Sequence, residues 1–501
     1  MQTQYEPPLG TVTDSGEQDV ISANFLKWST LFLLSYFALR LVFFALNISS
    51  FVPPDEVTHA GICRVFSRVF LLPANSPESY EFGLVTNVPW LYYWVMGKLI
   101  HLNIFGLPDL AFLRLLNIPI AFGTVFFIRR TLLLLTENRL SQLLLLVVVT
   151  NTAMFSLLSA SVSYDNLTNL LAAMSIYYLL AFFKYRSGTL FAAAVLSQLA
   201  GCLTKNTFLP LTLAMALLLL IHEWRNLRLF PAALVGYLRG SGRRALLPAL
   251  LILAGLALNL QLYAGNYLKY GTLAPAMAAV VSPENSMQYR IAARETIFKL
   301  YETGKISYME ALQMTGEIRH PGDKSDTFFM LMNYENLKAN PAMWLGPLQY
   351  VKIWFQDMAG SILGIKGHMG MYKDPRYLIP VYLVMALALA GFMLRWRPRE
   401  SGWTAPCLAA IASFYAAFML YKVNYNAYLY YGVTGITLQG RYLFPVLGPI
   451  YLLCCHYLLR LPRNRHLQLA LAVATALLFI AYDFPWFLAH ATPDWFSGQH
   501  R

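Results

Sequence analysis

Charge is scarce in this chain: Asp, Glu, Lys and Arg make up 13% of the 501 residues, against roughly 25% in ordinary soluble domains. That rules out an ordinary soluble globular protein. Cysteine is scarcer still, with only Cys63, Cys202, Cys407, Cys454 and Cys455. So few cannot staple a chain of this length, and no spacing among them matches a metal-ligand motif. They read as packing residues, because free cysteine behaves as a small hydrophobe. The first 25 residues hold Glu6, Asp14, Glu17 and Asp19 but no Lys or Arg, so the basic n-region of a cleaved signal peptide is lacking. No tandem repeat and no second soluble domain stand out.

What the chain has instead is apolar length. It is 57% hydrophobic, with a mean hydropathy of +0.49. Runs such as 245–262 and 377–394 reach the roughly 18 residues that cross a bilayer core of about 30 Å as a helix. Eleven such segments are expected as spans, near 26–47, 110–128, 140–159, 167–183, 189–203, 206–222, 245–264, 377–394, 404–421, 439–458 and 467–486. The fold class is an all-α polytopic membrane protein of about 11–13 transmembrane helices. The formal net charge of +13 then reports orientation rather than nucleic-acid binding. Sixteen cations fall in short loops: Arg129, Arg130, Arg139, Lys184, Arg186, Arg225, Arg228, Arg239, Arg243, Arg244, Arg395, Arg397, Arg399, Arg460, Arg463 and Arg465. The positive-inside rule assigns them to the cytoplasmic side.

Segment 88–104 is apolar but carries Lys98, His101 and Asn103, and a crossing there would flip every basic loop that follows. It is read as a helix at the outer rim, where Trp90, Tyr92, Tyr93 and Trp94 suit the interface. The expected organisation is a disordered cytoplasmic tail (1–25), an N-terminal transmembrane module (26–264) with a first external loop (48–109), a long external region (265–376), C-terminal spans (377–486) and an external tail (487–501). The long region holds twelve Lys/Arg and ten Asp/Glu, the composition of a water-facing piece with helices of its own. Within it 343–365 is expected as a second rim helix.

Ionisable groups beside a bilayer are costly, so a cluster of them on one face is a site hypothesis. Four stretches share the external face. Pro53-Pro54-Asp55-Glu56 follows the first span, with His59 shortly after; it reads either as a helix cap or as a rigid mount for a base. Tyr164-Asp165-Asn166 joins two spans, and Asp165 alone would serve as a helix-start residue. Lys205-Asn206 makes a very short turn, in which the lysine either snorkels or holds a phosphate. Gln439-Gly440-Arg441 enters a late span, and an arginine fork suits phosphate oxygens. Arg114 at the outer end of the second span completes the set, while Arg40 inside the first span is expected to pair or to face the bundle interior.

These stretches, with Asn87-Val88-Pro89-Trp90-Leu91-Tyr92-Tyr93 and Gln439-Gly440-Arg441-Tyr442-Leu443-Phe444-Pro445, resemble a family of bacterial polytopic membrane proteins. That family is similar in turn to the GT-C superfamily of integral-membrane glycosyltransferases, which includes protein O-mannosyltransferases and lipid A aminoarabinose transferases. The resemblance covers the first six spans and the Gln439-Gly440-Arg441 region, about half of the chain. It implies an acidic residue of the first external loop, Asp55 or Glu56, at the transfer centre. It also implies cations, Lys205 and Arg441, on the phosphate of a polyprenyl-phosphate sugar. His59, Arg114, Tyr164, Asp165, Asn206 and Gln439 are the further expected substrate contacts. The His-Pro-Pro motif of several mannosyltransferases is replaced here by Asn87-Val88-Pro89, so sugar and acceptor do not carry over.

The expected activity is transfer of a sugar from the lipid donor to an acceptor hydroxyl on a glycan, lipid or protein. The expected location is the periplasmic face of a bacterial inner membrane, with the N-terminus cytoplasmic. Losing the sugar takes the phosphate from about −1 toward −2, so cations aimed there favour the transition state over the substrate. No metal or cofactor is required, although Asp55, Glu56 and Asp165 together are chemically able to hold a divalent cation. Two rivals remain: a transporter or flippase of lipid-linked sugar, with its site near the midplane, and a non-catalytic assembly subunit that docks through 265–376.

Overall fold

The computed structural model describes residues 20–224, 243–365, 374–397, 402–436 and 438–496, with 367, 370 and 371. Of the tail expected to be disordered (1–25), residues 1–19 lie outside the described residues, as does the placement of Arg225, Arg228, Arg239 and Arg399, whereas Ala23, Asn24 and Phe25 already form the start of the first helix. Within them the chain is helical, with no β-strand. Among the described residues, eight helices are long and apolar enough to cross a membrane: Ala23–Asn47 (α1), Asp109–Leu135 (α4), Tyr164–Tyr185 (α7), Leu246–Tyr270, Arg376–Arg395, Thr404–Tyr431, Gly440–Arg460 and Arg465–His490.

The other three expected spans also form helices, but not full ones. Gly188–Thr204 (α8) and Phe208–Glu223 (α9) are apolar yet have only 17 and 16 residues. Segment 140–159 is broken into Arg139–Thr150 (α5) and Ala153–Ser159 (α6), bent by 66°. The break has a local cause. Thr150, Asn151 and Thr152 turn their side chains back onto the carbonyls of Leu146, Val147 and Val148, the kind of competing bond that ends or bends a helix. The freed Thr150 carbonyl accepts from Arg40 at 2.7 Å.

Several spans run past the boundaries expected for them, two of them through a π turn. The helix from Arg243 continues through a π turn at Leu260–Ala264 to Tyr270, and that from Thr404 through a π turn at Met419–Tyr425 to Tyr431. Polar residues beyond the apolar runs remain helical because the segments 48–109 and 265–376 supply partners. Asn266 donates to the Asn87 carbonyl at 2.9 Å, and Asn424 accepts from Trp354 at 2.9 Å. Each of these two extensions stops at a left-handed glycine, Gly271 or Gly432.

The short helices fall where a water-facing rim was expected. Leu91–Leu99 (α3) has nine residues, about 14 Å at 1.5 Å per residue, too short to span. It packs on Glu56–Ser67 (α2), where Gly97 sits so close to the Cys63 carbonyl that a Cβ would stand 2.8 Å from it. The long region forms the helices Arg290–Glu302, Tyr308–Gly316 and Pro321–Ala339, whose buried Ala293, Ile297, Phe298 and Leu331 pack with Tyr431 and Ile436. Pro347–Gly364 follows, within the stretch 343–365 for which a second rim helix was expected.

The bundle has two chemically distinct ends. At one end Arg186 pairs with Glu223, Lys184 donates to the Leu134 carbonyl at 3.4 Å and Arg395 to the Leu461 carbonyl at 3.0 Å. At the other, the loop 48–109 meets the long region through Tyr80, Leu84, Met277 and Ala292. The C-terminal segment returns to that end as well, Ser49 donating to the Trp495 carbonyl at 2.8 Å.

Candidate functional site

Four charged side chains from four separate stretches converge at the end opposite the basic loops. Asp55 follows Pro53 and Pro54 and takes a left-handed φ of 60° as the residue before α2. For a non-glycine residue that is uncommon, though Asp tolerates it better than most. Its carboxylate accepts from Arg441 at 2.7 Å, and the Pro54 carbonyl lies 3.5 Å from the same guanidinium. Arg441 also stands 3.5 Å from Asp165, which pairs with Lys205. Asp165, Lys205 and Arg441 are buried, whereas the Asp55 side chain is 26% exposed. Two carboxylates and two cations thus form one near-neutral chain of ion pairs, whose most exposed member is Asp55.

Local sequence explains each placement. Gly440 lets the chain lie against helix Pro347–Gly364, where a Cβ would stand 2.9 Å from the Met358 carbonyl; its N–H donates to the Ser361 hydroxyl at 2.7 Å. That contact brings Arg441 to the carboxylates. Lys205 caps α8 in a turn too short to carry it away, and its ammonium lies 4.7 Å from the Tyr164 ring and 4.9 Å from the Tyr442 ring, within cation–π range. Burial pushes the Lys205 ammonium below its ordinary value despite the opposing pull of Asp165. Asp165 is held at the start of α7, where Ser163 accepts from its backbone N–H at 3.2 Å.

His59 is buried one turn into α2. Its Nδ1 shares a 2.8 Å hydrogen bond with the Tyr93 hydroxyl, and its ring is 4.6 Å from that of Tyr164. No partner for its Nε2 stands among the described residues. Burial pushes the imidazole down to about 4, so it is neutral near pH 7.

Glu56 and Arg114 are brought together, but with each other. Arg114 grips both Glu56 oxygens and also donates to the Ala45 and Ile48 carbonyls at 3.2 and 2.6 Å. Glu56 further accepts from the Val162 N–H at 2.8 Å. Burial pushes the Glu56 carboxyl above its ordinary value, against the pull of Arg114 and that N–H. The pair ties the end of α1, the start of α2 and the link before α7 into one brace, with its polar groups consumed. Asn206 accepts from Tyr263 at 3.3 Å, Asn166 donates to the Leu158 and Ser161 carbonyls at 2.8 and 2.9 Å, and the buried Oε1 of Gln439 has no partner among the described residues.

Asp55, Glu56 and Asp165 do not form a shared ligand set, because Glu56 is turned onto Arg114. Among the described residues no group of three or more His, Cys, Asp or Glu is placed to hold a metal ion. Three contributors escaped the sequence reading of the site. Tyr93 and Tyr442 lie inside motifs already noted, and their adjacency to Tyr92 and Arg441 was the available signal. Arg290, 4.0 Å from Asp55 and 3.3 Å from Asp323, sits in the long region 265–376 with nothing in the sequence to single it out.

A comparison with protein-family models gives no match, and neither does a comparison with curated proteins.

Proposed function

We propose that this multi-pass membrane protein is a glycosyltransferase. It would move a sugar from a polyprenyl-phosphate donor to an acceptor hydroxyl at the periplasmic face of a bacterial inner membrane. The observation that carries the reading is the buried ion-pair chain Asp55–Arg441–Asp165–Lys205, most exposed at Asp55. A buried set of this kind is expensive to desolvate and is weak evidence for stability, and beside a membrane such a set marks a site by default.

The proposed chemistry follows from charge. The donor phosphodiester docks on Arg441 and Lys205 and competes with the carboxylates for them. A carboxylate relieved of its arginine partner is a stronger base, so docking the donor readies Asp55. Asp55 then takes the acceptor's hydroxyl proton as the oxygen attacks the anomeric carbon and the carbon–phosphate oxygen bond breaks. The leaving monoester, near −2, is held by the two cations that met it at −1, which is stabilisation weighted to the transition state. Inversion at the anomeric carbon is the expected outcome of this single displacement. Glu56 is assigned to the brace with Arg114 and not to the base.

The carrier reading has one observation in its favour. Arg40 pairs with Asp483 inside the bundle, next to the broken α5–α6 helix, and broken helices with buried charge mark transporter sites. Purified protein in liposomes given a radiolabelled polyprenyl-phosphate sugar and a soluble acceptor decides between them. Formation of labelled glycoside, lost in Asp55→Asn, supports the enzyme. Movement of intact donor between leaflets without glycoside, unchanged in Asp55→Asn, would replace it with the carrier.

A further inference from the structure

A polar cavity lies at the basic end of the bundle, away from the ion-pair chain. Its volume is about 430 Å³, within the roughly 300–1,000 Å³ typical of small-ligand sites. Arg130, Arg139, Gln142, Tyr177 and Tyr185 line it, and Leu26 with two leucines of α4 makes its apolar side. We propose that this cavity binds the head group of an anionic phospholipid, with the acyl chains running along the lipid-facing helices.

Charge complementarity is the first argument. Arg129 reaches the cavity wall by donating to Gln142 at 3.1 Å, and Lys184 does so by donating to the Leu134 carbonyl at 3.4 Å. Two cations, Arg130 and Arg139, thus line the space and two more bond to its lining residues, against one lining carboxylate, Glu137, among the described residues. Basic pockets between transmembrane helices on this side of a bundle suit anionic head groups. The second argument is that the wall is built rather than scattered. Gln142 and Tyr177 are buried; the Tyr177 hydroxyl accepts from Arg130 at 3.2 Å, and Gln142 donates to the Glu137 carbonyl at 3.0 Å. The third is amphipathy. Exposed Tyr185 lines the cavity and exposed Trp28 lies two residues along the chain from the lining Leu26, with Lys184 and Lys27 each 5.6 Å from the neighbouring ring, the kind of aromatic residue found at a head-group plane. A soluble anion would use the cations but gain nothing from the leucine wall.

The test is native mass spectrometry of the purified full chain titrated with phosphatidylglycerol, phosphatidylcholine or glycerol phosphate. One phosphatidylglycerol should bind in preference to phosphatidylcholine, and glycerol phosphate should bind far more weakly than the lipid. Arg130→Gln/Arg139→Gln should weaken phosphatidylglycerol binding by about fivefold per cation removed. The control Arg463→Gln/Arg465→Gln deletes the same charge at the same end, outside the cavity, and should leave binding near wild type. Equal loss in both double variants, no loss in the first, or glycerol phosphate binding as tightly as the lipid would each overturn the proposal. If the first variant does not insert, Arg130→Gln alone, which spares the α5 contacts, carries the same test.

Discussion

Arg441 donates to Asp55 at 2.7 Å, joining residues 386 positions apart in the chain. The contact joins the loop 48–109 to the start of a late span, and Asp55 is the more exposed of the two carboxylates that Arg441 meets. It also separates two neighbours that look alike in the sequence: Asp55 meets Arg441 and Glu56 meets Arg114.

Asp55→Asn keeps the shape and deletes the base. Membrane insertion and donor binding should persist while transfer is nearly abolished, measured as labelled glycoside per mole of folded protein. Glu56→Gln should act differently, because breaking a buried pair on one side leaves Arg114 uncompensated at a cost of about 3–5 kcal/mol. Its signature is a lower melting temperature in detergent, with the surviving folded fraction still active. Wild-type transfer in Asp55→Asn would remove the carboxylate from the mechanism.

The two cations of the chain should each matter for turnover more than for folding. Lys205→Ala and Arg441→Ala are expected to cut transfer by roughly 10²–10³-fold, the size of one lost transition-state donor. Lys205→Arg should recover part of this. Arg441→Lys should recover little, because one ammonium cannot reach both Asp55 and Asp165 as the fork does. Unchanged rates in both alanine variants at equal protein levels would dismiss the phosphate clamp.

How much of this was legible before folding is clear from particular residues. Apolar length and the basic loops reveal the helices and their two ends, because hydropathy and charge act locally along the chain. The cluster of Asp55, Asp165, Lys205 and Arg441 was legible as four stretches on one face, since alternating sidedness puts them there. Pairing was not: nothing local says that Arg114 takes Glu56 or that Arg290 arrives from the long region. The break at Asn151 is written in Thr150-Asn151-Thr152, yet an apolar run averages over three polar residues and hides it. The helical extensions to Tyr270 and Tyr431 depend on partners in the segments 48–109 and 265–376, which no window along the chain contains.

His59 gives a pH dependence of definite sign. Burial lowers its folded-state value to about 4, against about 6.5 unfolded, so between these values the unfolded chain binds the extra proton. The stabilisation is complete above about pH 6.5 and is lost as pH falls toward 4. Melting temperature in detergent should decline across that window, and His59→Phe, which cannot titrate, should flatten the decline. An identical slope in the variant would assign the acid sensitivity to other groups.

Arg40 and Asp483 form a buried pair inside the bundle, with the Arg40 guanidinium also 4.4 Å from the Tyr36 ring. Arg40→Met should destabilise by about 3–5 kcal/mol through the stranded Asp483, whereas Arg40→Met/Asp483→Leu should recover much of the loss. Thermal unfolding of the three proteins measures the coupling. Recovery of both stability and transfer in the double variant assigns the pair to structure; recovered stability with lost function would make it part of the working site.

The proposed orientation rests on which end carries the short-loop cations, and it can be tested without knowing the substrate. Lys324 is exposed in the long region 265–376 and Arg465 is exposed at the basic end, so a single cysteine at either position should be reachable by a polar reagent. The native cysteines are buried or half-buried, and replacing all five removes the background. In sealed cells a membrane-impermeant maleimide should label Lys324→Cys, while Arg465→Cys should label only after permeabilisation. The positive-inside rule predicts this sign because cations on the translocated side oppose insertion. Labelling at 465 with protection at 324 would invert the bundle and put the Asp55 end in the cytoplasm, where the lipid-linked donor would have to be met before it is flipped. Equal labelling at both positions would place the two ends on one side and break the spanning assignment itself.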